Sequence, residues 1–440
     1  MLNVTITPHR EMLPADSTEQ KLFLMLKLRP TKEIAGSRPA TAFTFVIDTS
    51  GSMDEPIEGG KTKREAVIES LQKLIQQAGL LTSNDRIALV QFHEKASTLI
   101  ELTPATEIKQ LENAINQLRN YSGGTMMGLG LRQALTLLSG KDMASRRALL
   151  FTDGDTFDED DCRELAQEFA KNNIPITALG FGNDFNEDLL SALSDTTGGV
   201  PFHVVPQQAV GTAIAIADLP NHILEEFKSA QQEVITNLAM TIRTVKGARL
   251  TRVARVYPSL AEFPLEPEPY PIGNAASNDE TVFILEFNLE SRAASRIRLA
   301  QLGLTYDVPG QNRRGELPLQ NVVVEFVAGQ MAVQVDQEVM GYVQQCNITQ
   351  LVNDAARLAE HNPEQAQEKL EMARKMTQRL GNQDMADSLG QAQDELRKTR
   401  KLSSGTRKTV KLGSKGKTVR INSDVNDLPS DEEIRRATGT

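Results

Sequence analysis

The sequence predicts an α/β protein: a doubly wound, mostly parallel sheet, inserted in or flanked by a β-sandwich and followed by a small α-helical module. Three observations carry this prediction. Between Thr41 and Val205, short β-prone runs alternate with amphipathic helical segments, as in a parallel sheet covered on both faces. On either side of that window, alternating strand-like runs are separated by Pro/Gly/Asn-rich breaks without long helices, which favours a sandwich. After residue 336 the apolar residues switch to helical spacing. At 440 residues the chain is also too long for one ordinary core.

Taken in order, residues 1–41 hold two strand candidates, Leu2–Thr7 and Lys21–Leu28, punctuated by Pro14 and Pro30. Two strands cannot bury a face alone, so they are assigned to the sandwich. Residues 42–205 form the α/β domain. Its strand candidates are Phe43–Ile47, Arg86–Phe92, Thr98–Leu102, Ala148–Phe151, Ile174–Phe181 and Phe202–Val205. Helical segments such as Lys63–Ala78 and Met126–Leu138 lie between them. Residues 206–335 open with a helix, Ala209–Lys228. The sandwich strands Val234–Val245, Thr281–Leu289, Ser295–Tyr306 and Leu319–Phe326 follow, with breaks at 258–278 and 307–318.

Residues 336–402 read as three antiparallel helices forming a separable unit, broken at Asn362-Pro363 and Gly381-Asn382. The tail, 403–440, has no aromatic residue and few aliphatics, and is expected to be disordered.

A soluble balance of 40% hydrophobic and 24% charged residues, with net charge −10, argues against general nucleic-acid binding. Two cysteines, Cys162 and Cys346, stand far apart with no CxxC, which suits free thiols in a reducing compartment. The N-terminal residues lack a secretory pattern, and no run reaches the roughly 18 apolar residues of a membrane span. The expectation is a cytoplasmic protein.

The chemistry concentrates at strand ends. The run Phe43–Ile47 stops at Asp48, and Ser50 and Ser52 follow on a turn containing Gly51. Gly123-Gly124-Thr125 opens a helix, and Phe151-Thr152-Asp153-Gly154 closes a strand. In doubly wound sheets, ligands bind outside the carboxyl ends of the strands, where Asp48 and Asp153 fall. DxSxS alone matches many turns that merely cap a helix. Three oxygen-bearing loops at strand ends of one segment match far fewer.

Asp48, Ser50, Ser52, Thr125 and Asp153 together resemble the metal-ion-dependent adhesion site of the von Willebrand factor A family, over roughly 42–205. The resemblance implies Mg²⁺, or Mn²⁺ in its place, held directly by Ser50, Ser52 and Thr125. Asp48 and Asp153 would act as charge partners, in part through water. An open coordination position would accept an Asp or Glu carboxylate from a protein partner, so the site binds and does not catalyse. Intracellular members of the family also serve AAA+ ATPases, which makes an accessory subunit of such a machine the alternative. A metal-dependent hydrolase is the weaker alternative.

Other motifs carry less. The five histidines are scattered and lie in no motif. The acid-rich Asp153–Asp161 lacks the glycine and closing glutamate of a calcium loop, and reads as a helix N-terminus favoured by its dipole. Gly123 to Gly130 is out of register for a dinucleotide cradle. From Arg397 to Ile421 the tail holds ten Lys/Arg and no Asp/Glu. Within it Lys408–Leu412 (KTVKL) and Lys417–Ile421 (KTVRI) repeat. Thr409 and Thr418, with Thr438 after Arg435-Arg436, resemble Ser/Thr kinase sites and ligands of forkhead-associated domains. The expected function is an adaptor binding partners through the metal site, with phosphorylation of the tail as its regulation.

Overall fold

The computed structural model describes residues 2–421 apart from 19, 37, 58, 78, 142, 143, 278 and 330–333. Thr438 and the acidic segment around Asp431 lie outside these described residues. The chain begins with β1 (Leu2–Pro8), β2 (Met12–Pro14), β3 (Gln20–Pro30) and a short helix α1 (Lys32–Ala35). The α/β domain follows. Its first half is β4 (Ala40–Asp48), α2 (Lys63–Ile75), β5 (Asp85–Phe92), β6 (Ala96–Pro104), α3 (Ile108–Gln117) and α4 (Met127–Leu138). Its second half is β7 (Ala144–Thr152), α5 (Glu159–Lys171), β8 (Ile176–Phe181), α6 (Glu187–Thr197), β9 (Pro201–Val205), β10 (Ile214–Ala215) and α7 (Leu219–Gln231).

The seven strands lie in the order β10-β9-β8-β7-β4-β5-β6, all parallel except β6. β4 is central and buried on both faces, which explains its near-continuous apolar run. Phe43, Phe45 and Ile47 pack with Val67, Leu71 and Leu74 of α2 and with Ile223 and Phe227 of α7. Val46 turns the other way, onto Leu131 of α4 and Leu165 of α5. Helix α7 therefore covers the parallel sheet. The expectation that it leads the sandwich is corrected: Phe227 stacks on Phe43 with ring centroids 4.4 Å apart.

The sandwich strands are β11 (Glu233–Thr244), β12 (Ala248–Tyr257), β13 (Ala261–Phe263), β14 (Tyr270–Ala276), β15 (Thr281–Leu289), β16 (Ser295–Val308) and β17 (Arg313–Val327). They form two five-stranded sheets, β1-β3-β15-β12-β13 and β14-β11-β16-β17-β2. β3 pairs antiparallel with β15 from Gln20–Leu289 to Leu28–Thr281. Strands on both sides of the α/β domain thus share one sheet, and that domain is an insertion. Leu22, Leu24, Leu26 and Leu28 face the sandwich core. Met25, between them, faces a second core beneath the C-terminal helices. The supposed breaks contain structure: β13 and β14 lie within 258–278, and β17 starts inside 307–318.

Among the described residues, four helices follow the sandwich: α8 (Gln337–Leu358), α9 (Pro363–Leu380), α10 (Gln383–Thr399) and α11 (Ser404–Gly413). Asn362 caps α9 by accepting from Gln365 N, Pro363 takes its first position, and Gly381 ends it in the left-handed region. α8 lays Val339, Tyr342 and Val343 on Ala254, Val256 and Ile284 of the sandwich. The helices therefore share a core with the sheet, so the expectation of a separable unit is corrected.

The expectation of a disordered tail is corrected as far as Ile421. α11 buries Val410 and Leu412, and Ile421 is 3% exposed beneath α8. Thr418 N donates to Pro258 O (2.9 Å), and its hydroxyl donates to Val256 O (2.7 Å). The basic side chains dock on α6: Lys408 on Glu187 (2.8 Å), Lys411 on Asp188 (2.5 Å), and Lys415 on Asp195.

Candidate metal centre

The site forms where two loops leaving the carboxyl edge of the parallel sheet meet the loop that enters α4. β4 delivers Asp48, β7 delivers Thr152 and Asp153, and the turn before α4 delivers Thr125. Asp48 is 0% exposed. Its Oδ1 accepts from Ser50 N at 2.8 Å and its Oδ2 from the Thr152 hydroxyl at 2.7 Å. The two bonds hold the carboxylate plane across the sheet edge. Ser50 Oγ lies 3.1 Å from Ser52 Oγ, and Ser52 Oγ donates to Asp153 Oδ1 at 2.7 Å. Asp48 thus holds the Ser50 amide, and Ser50, Ser52 and Asp153 follow one another oxygen to oxygen.

Thr125 is placed beside them through its loop. Gly51 N donates to Gly123 O (3.1 Å), and Met126 N donates to His93 O (2.9 Å). Thr125 itself is 8% exposed. The helix behind it owes its position to two glycines. A Cβ on Gly128 would stand 2.7 Å from Asp158 Oδ2, and one on Gly130 would stand 2.7 Å from the Phe92 ring. The glycines that are out of register for a dinucleotide cradle serve close packing, Gly130 on the sheet and Gly128 on the start of α5.

Burial raises the Asp48 carboxyl to about 6, against hydrogen bonds from Ser50 and Thr152 that pull it down; the Asp153 charge adds to the rise. A buried carboxylate so disfavoured beside a second acid and two hydroxyls is a donor set that fits a hard cation. Among the described residues no group of three or more His, Cys, Asp or Glu side chains is placed to hold a metal ion by itself. The fit here depends on hydroxyls as much as on acids.

Sequence reasoning missed Lys63. Its Nζ lies 2.6 Å from Asp153 Oδ2, 2.7 Å from Glu55 Oε2 and 3.4 Å from Ser52 O. Burial disfavours its charge, but Asp153 and Glu55 outweigh that and raise its pKa. A signal existed. Lys63 is the first residue of α2, the end where the helix dipole disfavours a cation, so a local anion had to be present. Thr152 was also missed, and no pattern distinguishes it from an ordinary strand threonine. Arg64 ties α2 to the neighbouring loops, donating to Leu118 O (3.1 Å), Tyr121 O (2.5 Å) and Asp54.

In the acid-rich segment, Glu159, Asp160 and Asp161 occupy the first turn of α5. Asp158 instead accepts from Gly128 N at the start of α4 (2.9 Å). The threonines of the tail are not laid open. Thr409 is buried with its hydroxyl 2.8 Å from His203 Nδ1, and Thr418 is held against Val256. Thr409 therefore lacks the accessibility expected of a kinase site, while Thr418 is half-buried.

Residues 43–213 match the model of the von Willebrand factor type A domain, and residues 337–420 match the Sll0103-like C-terminal alpha-helical domain. The uncharacterized protein sll0103 of Synechocystis sp. is 24% identical over 61% of this chain and 62% of its own length. The chain spans less than two thirds of the length of the curated relatives it matches. Among solved structures, a von Willebrand factor type A protein from Catenulispora acidiphila aligns with TM-score 0.76 at 19% identity. It covers 96% of this chain and 97% of that one. The ArnB paralog VWA2 from Sulfolobus acidocaldarius aligns with TM-score 0.63 at 16% identity, covering 94% and 99%. These likenesses extend over the sheets and helices outside the α/β domain. The chain carries a von Willebrand factor type A domain within a larger fold of extra sheets and a C-terminal helical domain.

Proposed function

Given a von Willebrand factor type A domain, we propose that this protein is a non-enzymatic interaction protein. It binds a partner through a divalent cation held at Asp48, Ser50, Ser52, Thr125 and Asp153. The observation that carries this reading is the hydrogen-bonded run from Asp48 through Ser50 and Ser52 to Asp153 at the sheet edge, anchored by a fully buried carboxylate. Mg²⁺ or Mn²⁺ suits such donors, and a cation with few anionic ligands keeps an affinity for a partner's carboxylate. Of the histidines, His93 flanks the Gly123 loop, where Lys95 N donates to its Nδ1 (3.3 Å), and His203 is bonded to Gly182 O and Thr409.

Calorimetric titration with Mn²⁺ tests the cation, comparing the wild type with Asp48→Ala plus Ser50→Ala. Equal binding by both proteins overturns the site. Partner capture with Mg²⁺ and again with chelator tests the interaction. A partner retained in chelator, or substrate turnover lost on Asp48→Ala, would replace this reading with a structural or hydrolytic one.

A further inference from the structure

Among the described residues, Phe157 is the most exposed large apolar side chain, at 86%. It stands in the loop that leaves Asp153. Its neighbours go the opposite way, with Thr156 and Asp158 buried at 8% and 9%. Thr156 Oγ1 accepts from Met127 N (2.9 Å) and Asp158 Oδ2 accepts from Gly128 N (2.9 Å), so both residues satisfy the first amides of α4. The Thr156 hydroxyl reaches Asp158 Oδ1 at 2.5 Å, and Phe157 N donates to Thr125 O at 3.2 Å. With both neighbours pinned inward, the ring between them is pushed out over the loop of Thr125. A Cβ on Gly124 would stand 3.8 Å from the ring's Cε2. The loop is therefore a rigid mount that holds an aromatic ring at the rim of the cation site.

Charge supplies the rest of the surface. Glu94, Asp155, Asp160 and Asp161 are exposed on the surrounding loops and the start of α5, against the exposed cation Lys95, whereas Asp54 and Glu55 are already paired with Arg64 and Lys63. Lys63 turns inward to Asp153.

We propose that Phe157 is the apolar half of a docking site whose other half is the Asp48–Asp153 oxygen cluster. The occupant is a protein segment with an Asp or Glu, a bulky apolar side chain one or two positions away, and a basic flank. The inference rests on the reading of that cluster as a cation-dependent carboxylate site. The carboxylate meets the cation, the apolar side chain covers Phe157, and the basic flank answers the acidic rim. A ring on a pinned backbone has only its two side-chain torsions to lose on contact, which is how aromatic anchors come to dominate interfaces. A second copy of this chain suits the surface less, because like copies of net charge −10 repel.

The test is selection of a short random-peptide display library on the full chain in Mn²⁺, using wild type, Phe157→Ala, Phe157→Leu and Asp48→Asn. Wild type is expected to enrich an acid with an apolar neighbour and a basic flank. Phe157→Ala keeps the acid and loses the apolar preference, and binds the winning synthetic peptide about tenfold more weakly or worse. Phe157→Leu restores part of both. Asp48→Asn loses the acid.

Unchanged Mn²⁺ affinity in Phe157→Ala shows that the ring, and not the cation site, was removed. An acidic consensus with no apolar neighbour, or an apolar preference that survives Phe157→Ala, overturns the assignment of the ring and leaves the cation reading standing. Loss of the acidic preference in the wild type, or no enrichment at all, overturns both. Sedimentation showing a dimer that Phe157→Ala dissolves would give the ring to a second copy and overturn the proposed partner.

Discussion

Lys63 and Asp153 form an ion pair at 2.6 Å inside the oxygen cluster, with Ser52 Oγ on the other oxygen of the same carboxylate. The protein thus places one fixed positive charge at the site. That charge opposes any divalent cation drawn to the same carboxylate.

Replacing Lys63 with Met is expected to raise Mn²⁺ affinity by about tenfold, since the lysine is partly screened and the opposing charge moderate. Titration calorimetry at constant pH and ionic strength measures it. The same variant should melt earlier without added cation, because Asp153, 1% exposed, loses its ionic partner. Equal affinity in both proteins would mean that Lys63 only staples α2 to the loop.

A second buried cation joins the domains. Arg147 on β7 lies between Glu226 of α7 (2.6 Å) and Glu233 of β11 (2.5 Å), and Glu233 also accepts from Ser145 and Asn274. Arg147→Met removes the hydrogen-bonded partner of both carboxylates where the insertion meets the sandwich, leaving the buried Arg255 as the cation near them. It should cost about 3–5 kcal/mol in denaturant unfolding. Arg147→Met with Glu233→Gln should recover part of that loss. A single variant as stable as wild type would show the cluster to be dispensable.

Much of the fold was legible because its signals are local. β4 reads as a buried parallel strand because helices cover both its faces, and Asn362-Pro363 and Gly381 marked helix ends through caps that need only nearby atoms. The oxygen cluster was legible for the same reason: the loops of Asp48 and Asp153 follow directly from strand ends, and that of Thr125 opens a helix. The tail was not, because its order comes from partners distant in sequence. Lys408, Lys411 and Lys415 read as a solvated basic run until Glu187, Asp188 and Asp195 are brought beside them. The two copies of the repeat even take different forms. Lys408–Leu412 lies in α11, whereas Lys417–Ile421 runs outside any helix beside the end of β12, with Lys417 bridged to Ser259. Helix α7 was misassigned for a related reason, since only the ring of Phe43 shows which sheet it covers.

Acid should loosen this tail. Burial raises the pKa of Glu187, but the hydrogen bond from Lys408 and the charges of Lys408 and Lys411 outweigh it and hold it at about 2. The folded value lies below the unfolded one. The stability is therefore present above the ordinary pKa of 4.5 and is lost as pH falls from there toward 2. Melting temperature followed across that range should drop more steeply for wild type than for Glu187→Gln, which should already be less stable at pH 7. Parallel curves would assign the acid response to other carboxylates.

The last expectation concerns Thr409 and His203. His203 Nε2 lies 2.7 Å from Gly182 O, and a carbonyl can only accept, so Nε2 carries the hydrogen. Burial pushes the His203 pKa down, and the nearby Lys408 charge pushes the same way, so the ring is neutral at pH 7. Nδ1 is then an acceptor, and the Thr409 hydroxyl 2.8 Å away donates to it. An anion in place of that hydroxyl would face an acceptor in a buried position. Thr409→Val is expected to cost about 1–2 kcal/mol through the unsatisfied ring nitrogen. Thr409→Ser should stay close to wild type, since it keeps the donor. Thr409→Glu should free α11 from β9 and α6, which limited proteolysis would detect as cleavage within 403–421 under conditions where wild type is intact. By the same geometry, a phosphate reaches Thr409 only after α11 has left its site. A Thr409→Glu protein with wild-type melting temperature and protease resistance would show that the pocket around His203 accepts a negative charge.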